Sequence, residues 1–513
     1  MPTLRELVAE LEANKAKARE MGGAAKVADQ HERGKLTARE RIDRLFDPGT
    51  FVEYGALAES PHVTDRATPA DGVVTGVGRV EGRDVYVAAY DFTVLAGSIG
   101  MVGEIKVARL RDLALKHRRP IVWLIDSAGA RIQEAASSIF AGTGYLFREQ
   151  VVLSGVVPQV AALVGPGAAG TAYIPGLADF VPMVKGRGTM ALGGPPLVKA
   201  AIGEDVTEEQ LGGSQVHCAK SGVGSLEVES DDACLAAIRE YLSFFPSSCD
   251  EPPPRRATDD PVDRREEGLL DIVPDSPRKP FDVRKVIELV VDHGRFFEIQ
   301  PQWARSLVVG LARLGGRPVG FVASQPMFLG GVLDVDAADK AARHVTLCDA
   351  FNIPLVFLHD VPGFMIGTKV EQQGIIRHGA KMLFAVASAT VPKLTVVLRK
   401  SYGAGYYVMN GRAYEPDAIY GWPSAEISLM GPEGAVNIIF RKQIEASESP
   451  DETRKALVEQ FRGMIGPMIA ARHALVDDLI DPRDTRRLLC RGLEVAEKKV
   501  VERPRRKHGV MPV

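Results

Sequence analysis

The chain has 513 residues, a formal net charge of −3, and 45% hydrophobic and 25% charged residues. That length exceeds one ordinary domain, and the near-neutral charge excludes a global field suited to nucleic acid or an anionic membrane surface. No apolar run reaches the roughly 18 residues of a membrane span, and the opening MPTLRELVAELEANKAKARE is charged and helical in period, unlike a signal peptide.

Glycine, at 51 residues, falls largely in short runs. The five cysteines, Cys218, Cys234, Cys249, Cys348 and Cys490, have neither metal-ligand spacing nor a disulfide pattern. Reduced thiols in a cytoplasmic-type compartment are expected.

After the helical N-terminus, the first half brings Gly49-Thr50-Phe51-Val52-Glu53 and then the buried-strand run RPIVWLIDSAG (119–129). An amphipathic helical stretch follows, then VPQVAALVGPGAAG (157–170), a strand ending in a glycine-rich turn. A proline- and charge-rich segment, 249–280, reads as a linker. The second half repeats the plan with Gly294-Arg295-Phe296-Phe297-Glu298, IPLVFLHDVPG (353–363) and VPKLTVVLRKSYGAG (391–405).

The repetition is literal. With Gly76 set on Gly310, a shift of 310 − 76 = 234, the 54 positions from 76 to 129 contain 17 identities, among them Lys106/Lys340, Asp126/Asp360 and Gly129/Gly363. Average composition gives roughly three by chance. The chain is therefore read as a duplicated α/β domain, with boundaries at 1–250, a linker at 251–280, and 281–513.

The turns Gly165–Gly170 and Ser401–Gly405 each follow a strand and precede a helix, where first-turn amides lack intrahelical partners. They suit an oxyanion hole, although small residues also permit plain close packing. Neither turn has P-loop or dinucleotide-fingerprint spacing. Asp126-Ser127-Ala128-Gly129 is not a nucleophile elbow, and His217-Cys218 are adjacent residues that a regular element would not point at each other. Asp334 and Asp336 have same-face spacing on a strand, but two carboxylates without further ligands are more often solvated or helix-capping, so no metal is expected in this chain. The basic tail 498–509 reads as a solvated terminus or partner contact. Backbone donors without an evident acid, base or nucleophile point to chemistry supplied by a cofactor.

Several ordered motifs carry a resemblance: His31–Arg41, Asp91–Ser98, Asp126–Glu134, Gly194–Lys199, Leu211–Gly213, Asp360–Phe364, Gly374–Lys381 and Ile480–Arg486. Over nearly its whole length the chain resembles the carboxyltransferase β subunits of biotin-dependent acyl-CoA carboxylases, the propionyl-CoA and 3-methylcrotonyl-CoA enzymes included. The resemblance implies two tandem crotonase-like domains, with acyl-CoA on the first and biotin on the second. It also implies a hexamer, a trimer of dimers, with active sites at dimer interfaces.

By the same resemblance, the amides of Ala169 and Gly170 hold the thioester enolate. Gly403, Ala404 and Gly405 bind biotin, the amides of Ala404 and Gly405 holding its ureido oxygen. Tyr407, where propionyl-type enzymes carry Asp, and its counterpart Tyr173 shape the acyl pocket, with packing as the alternative role for Tyr407. The chain contains neither a Met-Lys-Met biotinylation site nor an ATP-binding region of the biotin carboxylase kind, so a biotin carboxylase/carrier partner is expected. A carboxyltransferase of a decarboxylase or transcarboxylase, a biotin-independent crotonase-type hydratase or isomerase, and a CoA-ester-binding scaffold are the rival readings.

Overall fold

The protein is described from a computed structural model that covers residues 2–276 and 279–513. The chain divides after Glu251 into two compact units.

In the first unit the strands are β1 (Val52–Tyr54), β2 (Val73–Val80), β3 (Arg83–Tyr90), β4 (Ile121–Ser127), β5 (Gln159–Ala168), β6 (Pro182–Val184), β7 (Thr189–Ala191) and β8 (Leu226–Val228). They form one sheet in the order β1-β2-β3-β4-β5-β6-β8, with β7 on β5. The β1–β2–β3 ladder is antiparallel, and every pairing from β3 onward is parallel. All seven residues of β4 are buried, as expected of a parallel strand covered on both faces.

The second unit contains β9 (Phe296–Ile299), β10 (Leu307–Leu314), β11 (Arg317–Ser324), β12 (Leu355–Val361), β13 (Lys393–Tyr402), β14 (Ala418–Gly421), β15 (Glu426–Ser428) and β16 (Asp478–Leu479). Its sheet has the same order, with β15 on β13. Strands β2 to β5 begin at 73, 83, 121 and 159, and β10 to β13 at 307, 317, 355 and 393, each 234 later.

The echo between 49–53 and 294–298 has a structural meaning as well. Glu53 pairs with Gly76 and Glu298 with Gly310. A Cβ on Gly76 would lie 2.6 Å from the Phe51 ring, and one on Gly310 would lie 2.5 Å from the Phe296 ring. Each glycine therefore makes room for an aromatic ring crossing the edge of the sheet. Arg39 and Arg284 grip the two glutamates through paired hydrogen bonds of 2.7–2.9 Å.

This edge element is shifted by 298 − 53 = 245, so the β1–β2 connection is longer in the first unit: 72 − 54 = 18 residues, against 306 − 299 = 7 before β10.

The 252–276 stretch is laid along the second unit. Leu269 is buried in that unit's core with Phe281 and Val283, and the Arg256 amide donates to the Gly316 carbonyl at 3.0 Å. The basic tail is also tied down, through Lys499–Asp417 at 2.7 Å and Arg503–Glu415 at 2.6 Å. Asp334 and Asp336 are not on a strand: Asp334 caps the helix Val335–Ala350 by accepting from the Ala337 amide, and Asp336 lies in its first turn. Aspartate after a glycine-rich loop is a strong helix start, and of the roles the pair left open the helix-capping one holds for Asp334. Among the described residues no helix is long and apolar enough to cross a membrane.

Candidate active site

In both units the parallel ladder breaks at one buried aspartate. The β4–β5 register shifts between Ile125 and Ser127, and the β12–β13 register between His359 and Val361. A short loop packs on each break. Leu95, Ala96 and Gly97 have φ of 49°, 53° and 62°, and Leu329, Gly330 and Gly331 have 49°, 63° and 80°. A Cβ on Gly97 would meet the Asp126 carbonyl oxygen at 2.2 Å, and one on Gly331 the Asp360 oxygen at 2.6 Å. Left-handed backbone on non-glycine residues costs about 1–2 kcal/mol each, so two such loops mark positions that the surrounding structure holds firmly.

The glycine-rich turns stand at the ends of β5 and β13. Ala169 and Gly170 open the 3-10 turn Ala169–Ala172, and Gly403, Ala404 and Gly405 open the helix Gly403–Val408. In each case the leading residue is left-handed, Ala169 at φ 52° and Gly403 at 56°. The duplication matches Ala169 with Gly403 (169 + 234 = 403), so the two donor pairs expected from the resemblance coincide only at Gly170/Ala404. Close packing accounts for Gly405, whose Cβ would lie 2.9 Å from Val361 and 3.1 Å from Gly363. It does not account for Gly170, whose Cβ would meet only the Phe147 ring, at 3.7 Å. A bare backbone at 170 is thus not required by the fold.

A cavity of about 1040 Å³ opens in the first unit against the left-handed loop at Leu95–Ala96. Val94, Leu95, Ala96, Ser98, Ala128 and Arg131 form one wall, and the N-terminal helices, through Lys17, Lys26 and Arg33, form another. The longer β1–β2 connection contributes His62, Asp65 and Arg66. Arg131 is buried and fully engaged: it reaches Asp71 at 2.5 Å, Glu134 at 2.8 Å and the Ser98 carbonyl at 3.1 Å. In the second unit, Gly363 leads into residues 365–370, which line a separate cavity of about 660 Å³ with Asp334 and Asp336.

Tyr173 and Tyr407 are half-exposed at equivalent places. Tyr173 meets the Phe147 ring edge-on at 5.5 Å, while Tyr407 lies between Tyr406 at 5.9 Å and Tyr414 at 6.3 Å. His217 and Cys218 do not form a pair. The imidazole bonds to the Met190 carbonyl and Ser221, and burial pushes the Cys218 thiol up to about 12. Among the described residues no group of three or more His, Cys, Asp or Glu is placed to hold a metal ion.

Two buried lysines lie outside the sequence motifs. Lys106 donates to the Ala70 and Val73 carbonyls, and Lys340 to those of Gln300, Trp303 and Leu307. Burial presses the first down to about 8 and the second to about 7. Their identity across the 234-residue shift was the available signal. Arg131 and its carboxylates had no such signal, because Met365 stands at the equivalent place.

Residues 29–511 match the carboxyl transferase domain family. The chain is 44% identical over 516 residues to the propionyl-CoA carboxylase carboxyltransferase subunit of Haloferax mediterranei, covering 100% of both. It is 43% identical over 517 residues to the methylmalonyl-CoA decarboxylase subunit alpha of Veillonella parvula, again covering 100% of both. The crystal structure of transcarboxylase 12S, a hexamer with methylmalonyl-coenzyme A and methylmalonic acid bound, superposes with a TM-score of 0.96 at 45% identity, covering 100% of this chain and 99% of that one.

Proposed function

The chain belongs to the carboxyl transferase family, the carboxyltransferases of biotin-dependent acyl-CoA carboxylases and transcarboxylases, with two crotonase-like domains; from that premise we propose that it transfers a carboxyl group from carboxybiotin, carried on a partner subunit, to the α-carbon of a short acyl-CoA of the propionyl/methylmalonyl class. The observation that carries this reading is the unobstructed, side-chain-free backbone at Gly170, just past the strand whose register break is packed by the loop that walls the first unit's large cavity.

In this reading the cavity takes the coenzyme A ester, with Lys17, Lys26 and Arg33 facing its phosphates. The amides of Ala169 and Gly170 hold the thioester oxygen as its α-carbon gives up a proton, each good donor contributing about 3–4 kcal/mol to the transition state. The second unit's residues fit a ureido group: Gly403 to Gly405 are small, and Ala404 and Gly405 lie in the first turn of their helix. When bound, biotin supplies the carboxyl group and, once that is lost, the nitrogen that accepts the α-proton. The amides of Ala404 and Gly405 hold its ureido oxygen meanwhile, and Tyr407 and Tyr173 bound the acyl group. No side chain needs to act as acid or base. By likeness to transcarboxylase 12S, the assembly proposed is a hexamer working with a biotin carboxylase/carrier subunit.

The test mixes the purified chain with free biocytin and malonyl-, methylmalonyl- or 3-methylglutaconyl-CoA and follows carboxyl loss. Loss that requires biocytin and is fastest with methylmalonyl-CoA is expected. Equal loss without biocytin would overturn the role given to Ala404 and Gly405. Gly170→Pro and Gly405→Pro should each abolish the transfer while leaving coenzyme A ester binding largely intact, and full activity in either would sink the donor assignment.

A further inference from the structure

The two units bury an equivalent aspartate and neutralise it differently. In the first, Asp126 faces Lys35 at 2.6 Å and Arg41 at 3.0 Å, and Arg41 also meets Asp231 at 3.5 Å. Two cations thus stand against two carboxylates. In the second, Asp360 accepts two hydrogen bonds from Arg399, at 3.2 and 2.7 Å, and a third from the Lys400 backbone amide at 3.1 Å. Asp360 is thus matched by Arg399 at shorter range than by the Lys400 ammonium, which stands 3.7 Å away. The ammonium's acceptors among the described residues are the Gly330 carbonyl at 3.5 Å and the already engaged Asp360. Glu426, whose backbone pairs with Lys400, is taken by the Tyr402 hydroxyl and by Arg462 at 3.4 Å. Only 15% of the Lys400 side chain is exposed. A cation so placed, with only long contacts, is costly unless something else meets it. The first unit has no equivalent, because Pro166 stands there (166 + 234 = 400).

The location gives the charge its meaning. Lys400 lies on β13 three residues ahead of Gly403 and reaches the left-handed loop at Gly330. The counterpart loop, Leu95–Gly97, walls the large cavity of the first unit. Gly330 has open space where a side chain would be. We infer that the Lys400 ammonium is a catalytic group of the biotin half, set to meet the negative charge that gathers on the ureido oxygen as the carboxyl group leaves. The inference rests on the carboxyl-transfer reading above and adds a side chain to a site otherwise made of backbone amides. Burial also presses this ammonium toward its neutral form, the condition that an arriving anion would relieve.

The full chain, free biocytin and methylmalonyl-CoA provide the test. Lys400→Met leaves both Arg399 bonds to Asp360, so the fold is retained. Biocytin-dependent carboxyl loss should fall about 100-fold, and biocytin affinity by calorimetry about tenfold, at unchanged KM for methylmalonyl-CoA. Lys400→Ala should regain rate with added ethylammonium, which a structural role would not produce, and Lys400→Arg should keep most of it. Wild-type rate and biocytin affinity in Lys400→Met would overturn the inference. So would a loss in Lys400→Ala that ethylammonium does not restore, accompanied by an equal loss in Lys400→Arg. If the wild-type chain shows no biocytin-dependent loss, the carboxyl-transfer reading fails and takes this inference with it. That failure is recognisable because it appears without any substitution.

Discussion

The two units share a backbone plan nearly residue for residue and differ in what is hung on it. The first has eleven extra residues between its first two strands and an N-terminal helical arm, and both go into the walls of a cavity of about 1040 Å³. The second spends its extra length elsewhere: 477 − 421 = 56 residues separate β14 from β16, against 225 − 184 = 41 between β6 and β8. Those residues include the helix Pro450–Ile465, which carries Arg462 to Glu426. The devices kept twice are backbone devices: the sheet break at the aspartate, the left-handed loop packed on it, and the glycine edge beside a phenylalanine. The devices that differ are side chains and insertions that would touch a ligand. Duplication preserved the means of presenting amides and left free what each set of amides is presented to.

The sharpest break in this comparison is at Arg399. Its place in the first unit is Gly165 (165 + 234 = 399), where even a Cβ would lie 1.9 Å from Asp126. Arg399→Met strips Asp360 of both short bonds and should cost about 4 kcal/mol, read as the urea midpoint of the transition that reports the second unit. A cost under about 1 kcal/mol would show that Lys400 can take over, and that the two units are less different than their charges indicate.

The lysines sharpen the comparison by a smaller step. Lys340→Met removes three hydrogen bonds to carbonyls and should cost about 3 kcal/mol, while Lys106→Met removes two and should cost about 2 kcal/mol. Equal losses of melting temperature would mean that the number of carbonyls does not set the cost.

The smallest effect lies in the turns. Ala169→Gly relieves a left-handed alanine and should gain up to about 1 kcal/mol. Gly403→Ala adds strain and places a Cβ 2.8 Å from the Leu429 carbonyl, so it should lose at least as much. Matching signs in the two variants would show that the turns are not equivalent.

Much of the frame was legible because strand period and duplication reinforce each other. A gapless shift of 234 survives through the central strands and the helix between them, so Asp126/Asp360 and Lys106/Lys340 align in sequence as they do in structure. The cavity was not legible. Its walls come from segments far apart in the chain, such as Lys17, Arg66 and Arg131, and residues 61–69 have the composition of any loop. Arg131 falls within the motif Asp126–Glu134, but only burial shows it gripping Asp71 and the Ser98 carbonyl. The stretch 252–280 has a linker's composition, yet Leu269 is 1% exposed, because a few apolar residues suffice to lay a polar segment along a core. The capping role of Asp334 was among those legible from its type, and the residues after it, Val335–Ala350, settle it as the start of a helix.

A chain that encodes one sheet twice also carries a hazard during folding. Strands β2 and β3 of one unit have the length, order and spacing to be offered to β12 of the other while both are incomplete, and such mispairing between similar neighbouring domains is a characteristic trap of repeat-built chains. Only 17 of the 54 positions from 76 to 129 still match their copies. If β13 instead took the place of β5, the charged Arg399 would stand where β5 has Gly165, a place where even a Cβ would lie 1.9 Å from Asp126. Divergence between the halves therefore has a folding role alongside the one in ligand choice, since it keeps each half from accepting the other's strands.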